Sequence, residues 1–201
     1  MNSSDVFGLR FNTIPNGALE HCLLPAFAYT DYTSNCPVVT MSRFSQHASS
    51  AAKLLTEHKH TVSVAESSTG GLIAASLLSV PGASRYFMGG TVIYTIKSRR
   101  EFLDLNMERV KQLNPLTEEM ALEFARAVRA KLDTTWGIAE LGVAGPGGTP
   151  YSDATGISVI ALSGPVNASV TVKTQSNDRE KNMKEFSDAA LLLLVETLAG
   201  N

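Results

Sequence analysis

Cysteine is scarce in this chain. Cys22 and Cys36 are the two it has among 201 residues, and both fall near the N-terminal end. That scarcity excludes a disulfide framework and suits a reducing compartment. Charge of one sign is also missing, since 17 Lys and Arg stand against 19 Asp and Glu for a formal net charge of −2. A chain without a basic field is not expected to hold a nucleic-acid backbone or an anionic membrane surface. No apolar run reaches the length of about 18 residues that a bilayer-spanning helix needs, so no membrane span is expected. The opening residues show neither a signal-peptide pattern nor an Arg-rich presequence, and the expected location is cytoplasmic. His21, His47, His58 and His60 have no ligand-spaced Cys, Asp or Glu around them. His58 and His60 are read as solvated link residues rather than metal ligands.

What the chain does have is 44% apolar and 18% charged residues, enough for one globular domain with a substantial core. Residues 1–41 mix Asn, Ser, Thr, Pro and scattered aromatics without helical or strand period. They are read as a disordered N-terminal extension ahead of a domain spanning residues 42–201, with Met41 a candidate translation start.

Within that domain, Phe44, Ala48, Ala51 and Leu55 recur at helical spacing. Thr61 to Ala65 reads as a short buried strand, followed by Glu66-Ser67-Ser68-Thr69-Gly70-Gly71 and an apolar helix from Leu72 to Leu78. A second strand is expected over Thr91 to Tyr94, and a short helix near Ser98 to Leu103. Thr117 caps a further helix, with Glu118 and Glu119 in its first turn and Met120, Phe124, Val128 and Leu132 expected on its inner face. Ile138 to Val143 is strand-like and runs into Ala144-Gly145-Pro146-Gly147-Gly148. Two more strands, Gly156 to Leu162 and Ser169 to Lys173, suit a hairpin across Gly164-Pro165. A last helix carries Met183, Phe186, Ala190, Leu194 and Leu198 on one face. Strands interleaved with helices predict an α/β fold: a three-layer α/β/α sandwich, its mixed, mostly parallel sheet covered on both faces, with an antiparallel pair near one edge.

The segment Glu66 to Gly71 lies where a strand turns into a helix. Backbone N–H groups there are free to receive an anion or a developing oxyanion, and a serine placed there faces them. The same residues also serve as ordinary caps and turn formers, so local sequence alone leaves both readings open.

A longer pattern speaks to that choice. Ala65-Glu66-Ser67 with Thr69-Gly70-Gly71, then Val80-Pro81-Gly82-Ala83-Ser84, then Val92-Ile93-Tyr94, and finally Gly142 to Gly148 resemble the CinA C-terminal domain family in content, order and spacing, from about residue 45 to residue 198. The resemblance implies a nicotinamide-nucleotide amidohydrolase, which converts nicotinamide mononucleotide to nicotinic acid mononucleotide and ammonia. It implies no metal or organic cofactor, a small nucleotide as substrate, and a homo-oligomer, commonly a dimer. By resemblance Ser67 matches the nucleophilic serine and Tyr94 the tyrosine that assists it. Glu66, Thr69, Gly70, Gly71, Gly145 and Gly147 are the expected substrate-binding positions. The family places a lysine five residues after the tyrosine, where this chain has Arg99. A guanidinium stays protonated and is no general base, although it holds phosphate or carboxylate well. Lys97 is the candidate substitute. Two readings follow: an amidase that works without the family lysine, or a nucleotide-binding or regulatory protein in which turnover is lost. Asn177-Asp178-Arg179 keeps two residues of a family Gly-Asp-Arg element, with Asp178 expected to cap the last helix.

Overall fold

The computed structural model describes residues 44–147 and 155–200. The expected N-terminal extension, Met41 and Gly148 lie outside the described residues. Five strands alternate with helices in the order α1 (Ala48–His58), β1 (Val62–Glu66), α2 (Leu72–Leu78), a 3₁₀ turn (Ala83–Arg85), β2 (Phe87–Val92), α3 (Ile96–Phe102), α4 (Met107–Gln112), α5 (Glu118–Lys131), β3 (Trp136–Val143), β4 (Ile157–Ser163), β5 (Ala168–Lys173) and α6 (Arg179–Ala199). They form one sheet in the order β2-β1-β3-β4-β5. The fold is α/β with a mixed sheet, as its sequence suggests, but β1 runs parallel to β2 and β3 while β3–β4 and β4–β5 are antiparallel. Parallel and antiparallel pairings are thus equal in number. Among the described residues no helix lies between β3 and β4, and a parallel return would need such a crossover.

Strand alternation divides the core in two. Val62, Val64, Trp136, Ile138, Ile160 and Leu162 face α1, α2 and α6, whereas Ala65, Ala139, Leu141, Val159 and Ala161 face α5. Residues two apart on a strand share a face, so the period of two decides which layer each side chain joins. On the α5 side Met120, Ala121, Phe124, Ala125 and Val128 form the buried stripe. Leu132, expected to continue it, is exposed, because the helix ends at Lys131 and residue 132 leaves the helical path. Phe44 is likewise exposed, because α1 begins only at Ala48.

The second strand starts earlier than its β-branched residues suggest and includes Gly89 and Gly90. A Cβ on Gly90 would lie 3.3 Å from the Val64 carbonyl oxygen and 3.5 Å from the Ala74 methyl, so glycine lets α2 cross closely over the sheet. Tyr94 therefore lies beyond β2, in the link to α3. That helix begins with a reciprocal cap, in which the Thr95 hydroxyl accepts from the Ser98 amide and the Thr95 amide donates to the Ser98 hydroxyl. Asp178 caps α6 as expected, accepting the Lys181 amide at 3.0 Å.

Candidate active site

Glu66 and Glu140 are neighbours in the parallel register of β1 and β3. Both carboxylates point to the same face at the carboxyl ends of their strands, with exposures of 1% and 0%. Two like charges side by side in a dry place repel, so the chain must surround them with donors. The bend from Ser67 to Gly71 and the first turn of α2 supply them. Glu66 accepts the amides of Gly71 at 2.9 Å, Ile73 at 3.1 Å and Ala74 at 2.8 Å. Glu140 accepts the amides of Ser67 at 3.1 Å and Thr69 at 3.0 Å, together with the hydroxyls of Ser68 and, at 2.8 Å, Ser158. The Thr69 hydroxyl lies between them, 2.8 Å from Glu66 and 3.0 Å from Glu140. Burial pushes the Glu66 carboxyl above its ordinary value; the Ala74 amide, the Thr69 hydroxyl and the Ile73 amide pull it back, and the Glu140 charge adds to the rise.

This arrangement corrects the expectation that the strand-to-helix amides are free for a ligand. Five of them, at Ser67, Thr69, Gly71, Ile73 and Ala74, are used by the protein's own carboxylates. Glu66, Thr69, Gly70 and Gly71 accordingly do not line the adjacent cavity. Gly70 and Gly71 make the bend itself, with φ of 64° and 102°, a region that favours glycine.

The cavity opens at the carboxyl ends of the parallel strands, where open α/β sheets bind ligands. It measures about 730 Å³, within the range of roughly 300–1,000 Å³ common for small-molecule sites. Ser67, Ser68, Tyr94, Arg99, Gly145 and Gly147 all line it. Ser67 is 5% exposed, and among the described residues its hydroxyl makes no hydrogen bond. Tyr94 is 57% exposed. Arg99 donates from Nε to the Ile93 carbonyl at 3.2 Å, and its guanidinium carbon lies 5.5 Å from the centre of the Phe124 ring. Lys97 is exposed on α3 and does not line the cavity, so the expected substitute lies away from the other candidates.

Arg100, which the sequence groups with Arg99 and Lys97 in a small basic cluster able to receive a phosphate, lines the cavity. Sequence reasoning missed three contributors. Lys111 and Arg179 also line the cavity, so with Arg99 and Arg100 four cations face it and no carboxylate does among its described lining residues. The third is Glu140, in the middle of an apolar strand. Arg179 donates to the Gly145 carbonyl at 2.9 Å and Asn182 donates to the Ala144 carbonyl at 2.8 Å, so α6 fixes the glycine loop. A signal for Arg179 was present in the Asn177-Asp178-Arg179 segment, whereas Glu140 could be noticed only as a charge inside a strand otherwise free of it. Leu141 adds an apolar wall. Elsewhere, His60 is not merely solvated: its Nδ1 accepts from the Trp136 indole at 3.1 Å. Among the described residues no helix is long and apolar enough to cross a membrane.

A family model described as the CinA C-terminal domain matches residues 44–198. A CinA-like protein of Prochlorococcus marinus is 36% identical over 132 residues, covering 66% of this chain and 31% of the relative. A CinA-like protein of Gloeobacter violaceus is 40% identical over 118 residues, covering 59% and 28%. The matched part of the chain thus spans about a third of the length of these relatives. Among solved structures, a CinA superfamily protein from Klebsiella pneumoniae has a TM-score of 0.72 at 22% identity, covering 77% of this chain and 97% of that one. The competence/damage inducible protein CihA from Agrobacterium tumefaciens has a TM-score of 0.69 at 26% identity, covering 79% and 99%.

Proposed function

The chain belongs to the CinA C-terminal domain family, and from that premise we propose that it is a serine-dependent carboxamide hydrolase acting on nicotinamide mononucleotide. One observation carries the reading: the Ser67 hydroxyl, without a hydrogen bond among the described residues, opens on a cavity of nucleotide size whose described lining presents four cations and no carboxylate. Ser67 Oγ attacks the carboxamide carbon, ammonia leaves, and water releases nicotinic acid mononucleotide from the acyl-serine. Because Glu66 and Glu140 occupy the inner amides, the developing oxyanion is met from the cavity side, by the Tyr94 hydroxyl and the guanidinium groups. The phosphate lies against Arg99, Arg100, Lys111 or Arg179, with bidentate geometry open to the arginines. Gly145 and Gly147 let the loop backbone approach the ligand. The proposal takes the protein as a cytoplasmic homodimer that needs no cofactor.

A second reading is favoured by Arg99, which is engaged with Ile93 and Phe124 and supplies no base. In it the cavity binds the nucleotide without turning it over, as in a regulatory protein. Ammonia release from nicotinamide mononucleotide separates the two. The hydrolase reading expects activity in the native chain and a loss of at least about 10³-fold in Ser67→Ala. Tight binding without ammonia, with activity appearing in Arg99→Lys, would establish the second reading instead.

A further inference from the structure

A serine hydroxyl attacks a carboxamide only as its proton leaves, and neither cation singled out by sequence as the replacement for the family lysine provides an acceptor for it. Guanidinium groups keep their protons, and Lys97 lies outside the cavity. The adjacent hydroxyl differs. Ser68 lines the same cavity as Ser67, and it donates its proton to Oε1 of Glu140. Glu140 is wholly buried, yet its partners are two backbone amides and three hydroxyls, with no cation among them. A hydroxyl held by a base that is itself oriented by further partners is the arrangement a proton-transfer site requires.

Clamping the bend does not by itself demand a carboxylate. A glutamine at position 140 would still accept the amides of Ser67 and Thr69 through its carbonyl oxygen. Its NH₂ would donate to Ser68 and Ser158, whose hydroxyls are free to rotate. What glutamine could not do is take a proton from Ser68.

We propose that Ser68 and Glu140 form the proton relay that serves Ser67; the proposal rests on the hydrolase reading given above. The relay requires the Ser67 hydroxyl, which makes no hydrogen bond among the described residues, to turn about its Cα–Cβ bond toward Ser68: as Ser67 Oγ bonds to the carboxamide carbon, its proton passes to Ser68 Oγ while the proton of Ser68 passes to Glu140 Oε1. The carbonyl electron pair moves onto oxygen. When the carbonyl re-forms, the C–N bond breaks with its electrons on nitrogen, and the proton stored on Glu140 returns through Ser68 to complete ammonia. Water then attacks the acyl carbon and yields a proton along the same path. The C–Oγ bond breaks, and Ser67 Oγ recovers that proton. Glu140 acts through Ser68 and is a positioning and proton-holding residue, since it does not itself line the cavity.

The test compares the native chain, Glu140→Gln and Ser68→Ala, each checked for folding by circular dichroism and thermal melting. Two readouts are used: ammonia release from nicotinamide mononucleotide, and the rate at which a biotinylated alkyl fluorophosphonate modifies Ser67, followed by peptide mass spectrometry. The relay expects Glu140→Gln to fold and to lose about 100-fold in kcat and in modification rate with KM unchanged, and Ser68→Ala to lose a similar factor. Should Glu140→Gln fail to fold, Ser68→Ala decides alone. Retention of both rates within about threefold in the folded variants would reduce Glu140 to a structural clamp and overturn the relay. A native chain that is modified at Ser67 but releases no ammonia would refute the nucleotide reading while leaving the relay supported if both variants lose modification. A native chain that is not modified at all would overturn the relay itself.

Discussion

The two sides of the bend after β1 carry opposite charge. On the inner side, Glu66 and Glu140 bring two buried carboxylates to the amides that a strand-to-helix junction leaves open. On the outer side, the cavity wall presents Arg99, Arg100, Lys111 and Arg179 and no described carboxylate. The inner side already holds two anions, which take five of its amides. The outer side has cations in excess and is where an external anion is welcome. A glycine-rich bend at a helix start is thus not in itself a ligand site, since the chain can fill it with its own side chains.

The contrast breaks most severely at its inner side. Glu66→Ala leaves the amides of Gly71, Ile73 and Ala74 without their acceptor, and a loss of about 3 kcal/mol or more is expected in urea unfolding. Gly142→Ala comes next. Its new Cβ would lie 2.7 Å from Glu140 Oε1 and 2.9 Å from the Ile157 carbonyl oxygen and would press on Ser68, so a loss of about 2 kcal/mol is expected together with reduced activity.

At the outer side, Arg179→Ala removes one cation and the loop tether to Gly145. Calorimetric titration with nicotinamide mononucleotide is expected to show affinity weakened about tenfold. A smaller effect follows from pH. The folded-state carboxyl of Glu66 is raised above its ordinary value of 4.5, so the folded chain binds that proton more tightly than the unfolded chain does. Its contribution to stability is complete below 4.5 and is lost as pH rises through the raised value. Urea midpoints are expected to fall less over that window in Glu66→Gln, which offsets stability by the lost Ala74 bond at every pH. Least of all, Lys97→Ala is expected to leave nucleotide affinity and turnover within about twofold, since the side chain is exposed outside the cavity.

Much of the fold was legible because its signals are local. Thr117 and Asp178 cap helices, and Thr61 to Ala65 reads as a buried strand and Ile138 to Val143 as strand-like from their apolar runs. The start of β2 was not, because Gly89 and Gly90 lower strand propensity and are there for the close passage of α2. The antiparallel direction of β4 against β3 is likewise a matter of pairing rather than of local pattern. In the site, Ser67, Tyr94, Arg99, Gly145 and Gly147 could be named from motifs, and all reach one cavity. The inward use of Glu66 and Thr69 was hidden, because it depends on Glu140 arriving 74 positions after Glu66 through the β1–β3 register. Lys111 was hidden for the same reason: only the tertiary course of α4 brings it to the wall.

The most direct test of the central claim is a crystal structure of Ser67→Ala with nicotinamide mononucleotide bound. The account predicts the carboxamide carbon over position 67 and the phosphate against cations of the Arg99, Arg100, Lys111 and Arg179 wall. A nucleotide bound elsewhere, or turned so that its carboxamide points away from position 67, would contradict it.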